Sequence, residues 1–331
     1  MKNLFYFIVF AVTVAACNKT EDNPEVLVNV HMGTNHVNDV YYSLEAVRTI
    51  NSVRSDWDLA FSVPLQTAAI RINEGAGVML YSWGDTTTWD AVDTSGIAQW
   101  TPEYNDKSDW LNGAFNQYAT GGFNFGWGTY DHGNTYSVWG DSIYVIKLTD
   151  GSVKKLFIRK RIGNSDTYQL RWADIDGSNE VDAAFSPAPY SGVKNFIHYS
   201  LVNNEIVEAE PDRDAWDLMF TKYIVKVPYG PVMVDYPVVG VLMKEGLKCV
   251  VVTGIDPASA SYTDAMEDFS GNANMIGWEW KSSDPVTHQI ILAENTSYFV
   301  KLANEKIYRI YFTDYNSEDD GLVSFKVKPV D

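Results

Sequence analysis

The sequence predicts an all-β protein: two antiparallel β modules in tandem, behind a leader and a short tether. Three observations carry that expectation. Apolar residues recur at every second position in short runs, Asp-Gly and Gly-Asn turns separate the runs, and landmarks of the first half return in the same order in the second.

The leader is justified first. A single Lys2 precedes an uncharged run of 13 residues, 4–16, shorter than the about 20 that cross a bilayer as a helix. Residues 1–16 therefore read as a secretory signal peptide. The run ends in Val14-Ala15-Ala16-Cys17, which resembles a bacterial lipobox, so Cys17 is the expected lipidation site. Two or more acyl chains on one residue hold a soluble domain to a membrane durably. Residues 17–26 are polar and acidic with Pro24, a flexible tether. Its Lys19, Glu21 and Asp22 resemble the surface-export signal of certain Gram-negative lipoproteins. The expected location is the outer membrane, lipid-anchored and facing outward.

Charge narrows the partners. The chain carries a net −18, which becomes −19 once the leader and its one Lys are gone. A field of that sign repels phosphate backbones and anionic lipid, so nucleic acid is excluded as a partner. Besides Cys17 the only cysteine is Cys249, in the apolar run LKCVVV, where it reads as a small buried hydrophobe. With Cys17 acylated no intrachain disulfide remains, and the fold must hold by core burial.

The tandem modules rest on repeated landmarks. SDWDLAFS at residues 55–62 returns as DAWDLMFT at 214–221, and YYSL at 41–44 returns as HYSL at 198–201. Gly126-Trp127 matches Gly277-Trp278, and YVIKL at 144–148 matches YFVKL at 298–302. Every offset lies between 151 and 159 residues, which points to an internal duplication with units at 27–178 and 179–331. The join, DIDGSNEVD at 174–182, lacks the Glu a calcium loop needs at its far end and reads as a solvated linker. RIGNSD at 161–166 and NSEDDG at 316–321 read as equivalent hairpin turns.

Within a unit the period is two. Trp57, Leu59 and Phe61 are expected on one face and Asp58, Ala60 and Ser62 on the other. SIYVIKL, SVKKLFI and DTYQLRW continue the pattern, and PVVGVLMKEGLKCVVV reads as strand, Gly turn and strand. The best helical run is 108–118, weakened by Gly113.

The early YYSLEAVRTINSVRSDWDLAFS and the late YFVKLANEKIYRIYFTDYNSEDDGLVSFKVKPV together resemble the HmuY-like haemophore lipoproteins, with Phe312-Thr313-Asp314-Tyr315 as a motif. Two units in one chain depart from that family's single-unit pattern. The resemblance implies a lipid-anchored all-β surface protein that captures haem for iron acquisition and passes it to an outer-membrane receptor. It also implies that His132, five residues after Trp127, is an axial ligand to haem iron, with Trp127, Tyr130 and Tyr136 as pocket walls. The second unit has Ser283 at the matching place, with His288 five residues on, and residues 91–125 hold neither His nor Met to serve as a second ligand. Met266 and Met275 fall off the family spacing, and strand or loop positions explain His31, His36 and His198.

Catalysis finds no motif: there is no Gly-x-Ser-x-Gly, His-Glu-x-x-His or phosphate-cradling loop. A binding protein, not an enzyme, is expected. A rival ligand is a glycan, since the chain holds 11 Trp and 20 Tyr, with the stretches 80–89 and 123–140 the densest in aromatics, and aromatic faces stack on sugar rings. A structural role in a surface complex is the third reading.

Overall fold

The computed structural model describes residues 24–330, apart from 65, 266–267, 285 and 317–319. Cys17, the leader, most of the tether and Met266 lie outside the described residues. Among the described residues every helical element is a short 3₁₀ turn, and no helix is long and apolar enough to cross a membrane. The all-β expectation holds.

The first half contributes β1 (Val26–His31), β2 (Asn38–Ser43), β3 (Arg48–Val53), β4 (Leu59–Ser62), β5 (Ile70–Ile72) and β6 (Met79–Asp85). It continues with β7 (Gly128–Asp131), β8 (Ser137–Gly140), β9 (Ser142–Lys147), β10 (Val153–Ile162) and β11 (Thr167–Asp174). The second half gives β12 (Val181–Phe185), β13 (Phe196–Ser200), β14 (Glu205–Val207), β15 (Leu218–Tyr229), β16 (Val232–Met243) and β17 (Lys248–Thr253). It ends with β18 (Lys281–Ser283), β19 (Ile290–Leu292), β20 (Thr296–Lys301), β21 (Ile307–Asn316) and β22 (Leu322–Pro329). The last three strands of the halves agree in length, at 6, 10 and 8 residues. Each long strand carries a bulge at the same place, Ile158/Lys160 in β10 and Phe312/Asp314 in β21.

The sheets are built across the halves. One lobe joins β12, β11, β10, β9 and β6, with β14-β13-β4-β5 as its second sheet; the other joins β1, β22, β21, β20 and β17, with β3-β2-β15-β16. Residues 27–178 and 179–331 therefore do not each pack alone. Val40, Tyr42 and Leu44 sit in the core of the second lobe, and Ile197, Tyr199 and Leu201 sit in the core of the first. Full burial of three such side chains stabilises the exchange by roughly 5–9 kcal/mol, counted against a fully extended unfolded chain.

The join explains the exchange. The stretch 174–182, expected as a linker, is a tight hairpin in which Gly177 N donates to Asp174 O and Asp174 N to Ser178 O. The chain turns straight from β11 into β12, so the second half's first strand lies on the first half's last strand. β1 then completes the second lobe against β22. Among the described residues no group of three or more His, Cys, Asp or Glu is placed to hold a metal.

The same geometry shows why Trp-Asp-Leu and Tyr-Ser-Leu recur together. Fully buried Asp58 accepts from Leu201 N at 2.8 Å and from Thr149 N at 3.0 Å. Its counterpart Asp217 accepts from Leu44 N at 2.8 Å. Each carboxylate thus caps the turn after the other half's Tyr-Ser-Leu strand, where the amide would otherwise be orphaned.

Some expectations need correction. Leu59 and Phe61 face the first core, but Trp57 does not share their face: it packs with Ala60, and Trp216 packs with Tyr41 and Met219. Both faces of β4 are buried, one against its lobe and one at the junction between lobes, so a single inner stripe does not describe it. The run at 108–118 forms turns and one 3₁₀ turn, Ala114–Asn116, in place of a helix. A Cβ at Gly113 would stand 2.0 Å from Ile70 O, so this glycine serves a close backbone approach. The strands of PVVGVLMKEGLKCVVV form as expected but enter different sheets, β16 beside β15 and β17 beside β20.

Candidate functional site

The β7–β8 hairpin carries the expected site. β10 changes partner at its bulge, pairing with β9 through Phe157 and with β8 from Lys160, which lies opposite Trp139. The hairpin is thereby held over the end of β10. Gly140 permits this: a Cβ there would lie 1.8 Å from Ile158 O. At the tip, Asp131 accepts from the backbone N–H of Gly133, Asn134 and Thr135, at 3.2 to 3.3 Å. Burial opposes the Asp131 charge, but these bonds outweigh it and hold the carboxyl below its ordinary range.

Under the hairpin lies a cleft of about 480 Å³, within the size range of small-molecule sites. Phe123, Phe125, Tyr130 and Tyr136 face it, and Arg161 and Gly163 enter from the β10–β11 turn. Tyr130 and Tyr136 both line this cleft. Tyr136 is half exposed and takes φ 51°, a left-handed conformation that costs an aromatic residue about 1 kcal/mol or more. Gly163 makes room for the Tyr136 carbonyl, since a Cβ there would lie 1.7 Å from that oxygen.

His132 is exposed on the hairpin turn, its imidazole against the Phe123 ring with centroids 4.5 Å apart. Phe123 in turn lies 5.9 Å from Tyr130. The histidine is therefore at the rim of the aromatic wall. Trp127 is placed elsewhere: it is fully buried, donates from Nε1 to Ala68 O at 2.7 Å, and belongs to the core beneath the cleft. It supports the floor and does not face a ligand.

Arg161 is buried, and its charge is already matched. Nε and Nη2 meet Asp166 at 2.9 and 2.7 Å, and the remaining N–H groups reach the carbonyls of Val63, Pro64 and Thr67 and the Tyr168 hydroxyl. It ties the carbonyls of Val63, Pro64 and Thr67 to the cleft edge. Lys160 lies over the Trp139 ring at 4.7 Å, a cation on the outer face of the hairpin.

The second lobe fills the corresponding place. Trp280, immediately before β18 as Trp127 is before β7, is the buried counterpart, whereas Trp278 is half buried and packs with Tyr223, Val238 and Leu242. Trp280 stacks on Phe312 at 4.0 Å, Lys281 Nζ lies 4.0 Å over Trp280, and Tyr315 meets His36 Nε2 at 3.1 Å. Burial pushes Lys281 down to about 7. Burial, with Lys222, Arg54 and Lys281 adding to it, pushes His36 down to about 4. Ser283 ends β18, and His288 lies exposed on the following turn with φ 58°. His31 pairs with Asp320.

A second, smaller space of about 50 Å³ lies at the junction of the lobes. Equivalent residues of the two halves line it: Trp57 and Trp216, Tyr41 and His198, Ala60 and Met219. Burial, with Lys194 adding to it, lowers His198 to about 3, and burial raises Glu210 to about 7.

No family model matches the chain, and no curated protein matches it. Solved structures similar to it include apo PinO from Porphyromonas gingivitis, at 14% identity and TM-score 0.18, covering 50% of this chain and 92% of that one. Another is the apo HmuY analog of Tannerella forsythia, at 14% identity and TM-score 0.18, covering 49% and 90%. At these values the likeness carries no argument, and the functional reading rests on this chain's own residues.

Proposed function

We propose that the chain is a HmuY-like, two-unit surface lipoprotein that binds haem in the first-lobe cleft and does not transform it. The repeated units are those at 27–178 and 179–331, Cys17 bears the anchor, and the second lobe supplies support or a receptor contact at the outer membrane. The observation that carries the reading is the cleft itself: four aromatic side chains face one slot beside a turn that presents His132.

The residues fit a flat, largely apolar ring. Phe123, Phe125, Tyr130 and Tyr136 offer faces and edges for stacking, and His132 offers an imidazole nitrogen of the kind that ligates haem iron. Haem, when bound, would supply an iron centre and a strong visible absorption. The chain's part is to exclude water from the ring faces, which the aromatic walls do, and to orient the His132 loop through the Asp131 turn. Among the described residues the cleft lining holds no His and no Met, so His132, at the rim against Phe123, is the residue this reading assigns to the iron.

The amides of Gln66 and Asn164 also line the cleft, which favours a sugar ring as a second reading. One titration series separates the two. Haemin followed by absorbance should bind saturably, and His132→Ala should bind about tenfold or more weakly, the scale of one lost ligand interaction. Equal affinity for both proteins would remove His132 as ligand. Tryptophan fluorescence that responds to oligosaccharides and not to haemin would replace the reading with the glycan one.

A further inference from the structure

The β15–β16 hairpin is longer than its place in the fold requires. Its two strands pair over their full 12 residues, from Leu218 with Met243 to Tyr229 with Val232, whereas β15 meets β2 only at Leu218, Met219 and Phe220. The equivalent strands in the first half, β4 and β5, have 4 and 3 residues. The base is fixed to the first lobe, where Ile224 N donates to Glu74 Oε1 at 3.0 Å. Val225, Lys226 and Asp235 still border a space shared with residues 101–118, and the exposed tip lies beyond them.

The free end is apolar. Tyr229 is 74% exposed, Met233 57%, Val232 54% and Tyr236 53%. Strand alternation puts Val227 and Tyr229 on the same face as Val232, Val234 and Tyr236. Residues 227–234 contain no charged side chain, in a chain of net −18. At the neck Lys226 and Asp235 neutralise each other at 2.8 Å.

We propose that this tip is a membrane-interface finger that docks on an uncharged, zwitterionic lipid surface. Tyr229 and Tyr236 have the mixed character that favours the headgroup boundary, while Val232 and Met233 can enter the acyl layer. The backbone limits the depth. The outer N–H and C=O groups of both strands have no partner in hydrocarbon, so only the turn and its immediate neighbours immerse. The acidic body sets the preference, because anionic lipid repels it and the neutral tip offers no compensating attraction. Tyr229, Met233 and Tyr236 also suit the core of a protein interface, which is rich in Tyr and Met and poor in charge, so a protein partner is the rival outcome of the test.

The proposal stands apart from the cleft reading. The test uses the chain from Asn18 onward, which retains every sheet but cannot be lipidated, floated with phosphatidylcholine vesicles. The wild type is expected to float, and Tyr229→Ser/Met233→Ser to partition about 100-fold less, roughly tenfold for each large side chain withdrawn. Adding phosphatidylglycerol at low salt is expected to weaken flotation. Both substituted side chains are exposed, so an unchanged thermal melt will confirm that the variant is folded. A wild type that stays with free protein, a double variant that floats equally, or binding that strengthens with anionic lipid would each overturn the proposal. Cross-linking of the tip to a protein without flotation would assign it to that partner instead.

Discussion

Replacing Asp58 by Ala tests the device that holds the exchanged strands. Its carboxylate is fully buried and accepts from Leu201 N at 2.8 Å, Thr149 N at 3.0 Å and Thr149 Oγ1 at 2.9 Å. Truncation leaves the buried Leu201 amide and the half-buried Thr149 amide without acceptors, and each such loss costs about 1–3 kcal/mol. A total near 4 kcal/mol is expected. Asp217→Ala should cost less, about 2 kcal/mol, since only the Leu44 amide is orphaned. Urea unfolding followed by tryptophan fluorescence measures both. Amide exchange at Leu201 should also quicken by about a thousandfold in Asp58→Ala, the rate equivalent of 4 kcal/mol if the site opens locally. An unchanged midpoint with Leu201 protected as before would refute the claim that Asp58 ties the halves together.

Other substitutions probe the junction, the hairpin and the core. His198 is neutral in the fold with its pKa near 3, against an ordinary 6.5. Below pH 6.5 the unfolded chain takes up that proton first, so stability present above 6.5 is lost toward pH 3 at about 1.4 kcal/mol per unit. Glu210, raised to about 7, acts in the opposite direction between its ordinary 4.5 and 7. The difference between wild type and His198→Phe in urea at pH 4.5 and 7 isolates the histidine, and parallel curves would contradict its burial. Gly140→Ala should drive a methyl into Ile158 O, cost about 3 kcal/mol and abolish ligand binding by lifting the hairpin from β10; normal binding would show that the cleft does not depend on this contact. Cys249 is fully buried, and desolvation pushes its thiol far up. It should resist a thiol reagent until the protein unfolds, and prompt labelling of folded protein would contradict its place in the core.

The strands were legible because their side chains alternate and their turns are marked. The runs SIYVIKL, SVKKLFI and DTYQLRW form consecutive antiparallel strands, with Leu156 opposite both Tyr144 and Trp172. The partner of each half's first strands was not legible, because a short polar join such as 174–182 suits either a linker or a hairpin. The tight turn at Gly177 decides it. Period-two reasoning puts Trp57 on the wrong face because it assumes one buried side, and the junction buries both. At the site, the stretch 123–140 announced itself by its aromatic density. Arg161 and Gly163 did not, because they reach the cleft only through the pairing of Lys160 with Trp139. Trp127 looked like a wall residue in sequence, yet its indole is spent on Ala68 O.

The central claim is that the slot under the β7–β8 hairpin accepts a flat iron porphyrin. The absorption spectrum of the purified chain with stepwise haemin tests it most directly. A Soret band that shifts and saturates at one equivalent is the result expected. A spectrum that stays that of free haemin throughout would contradict the account.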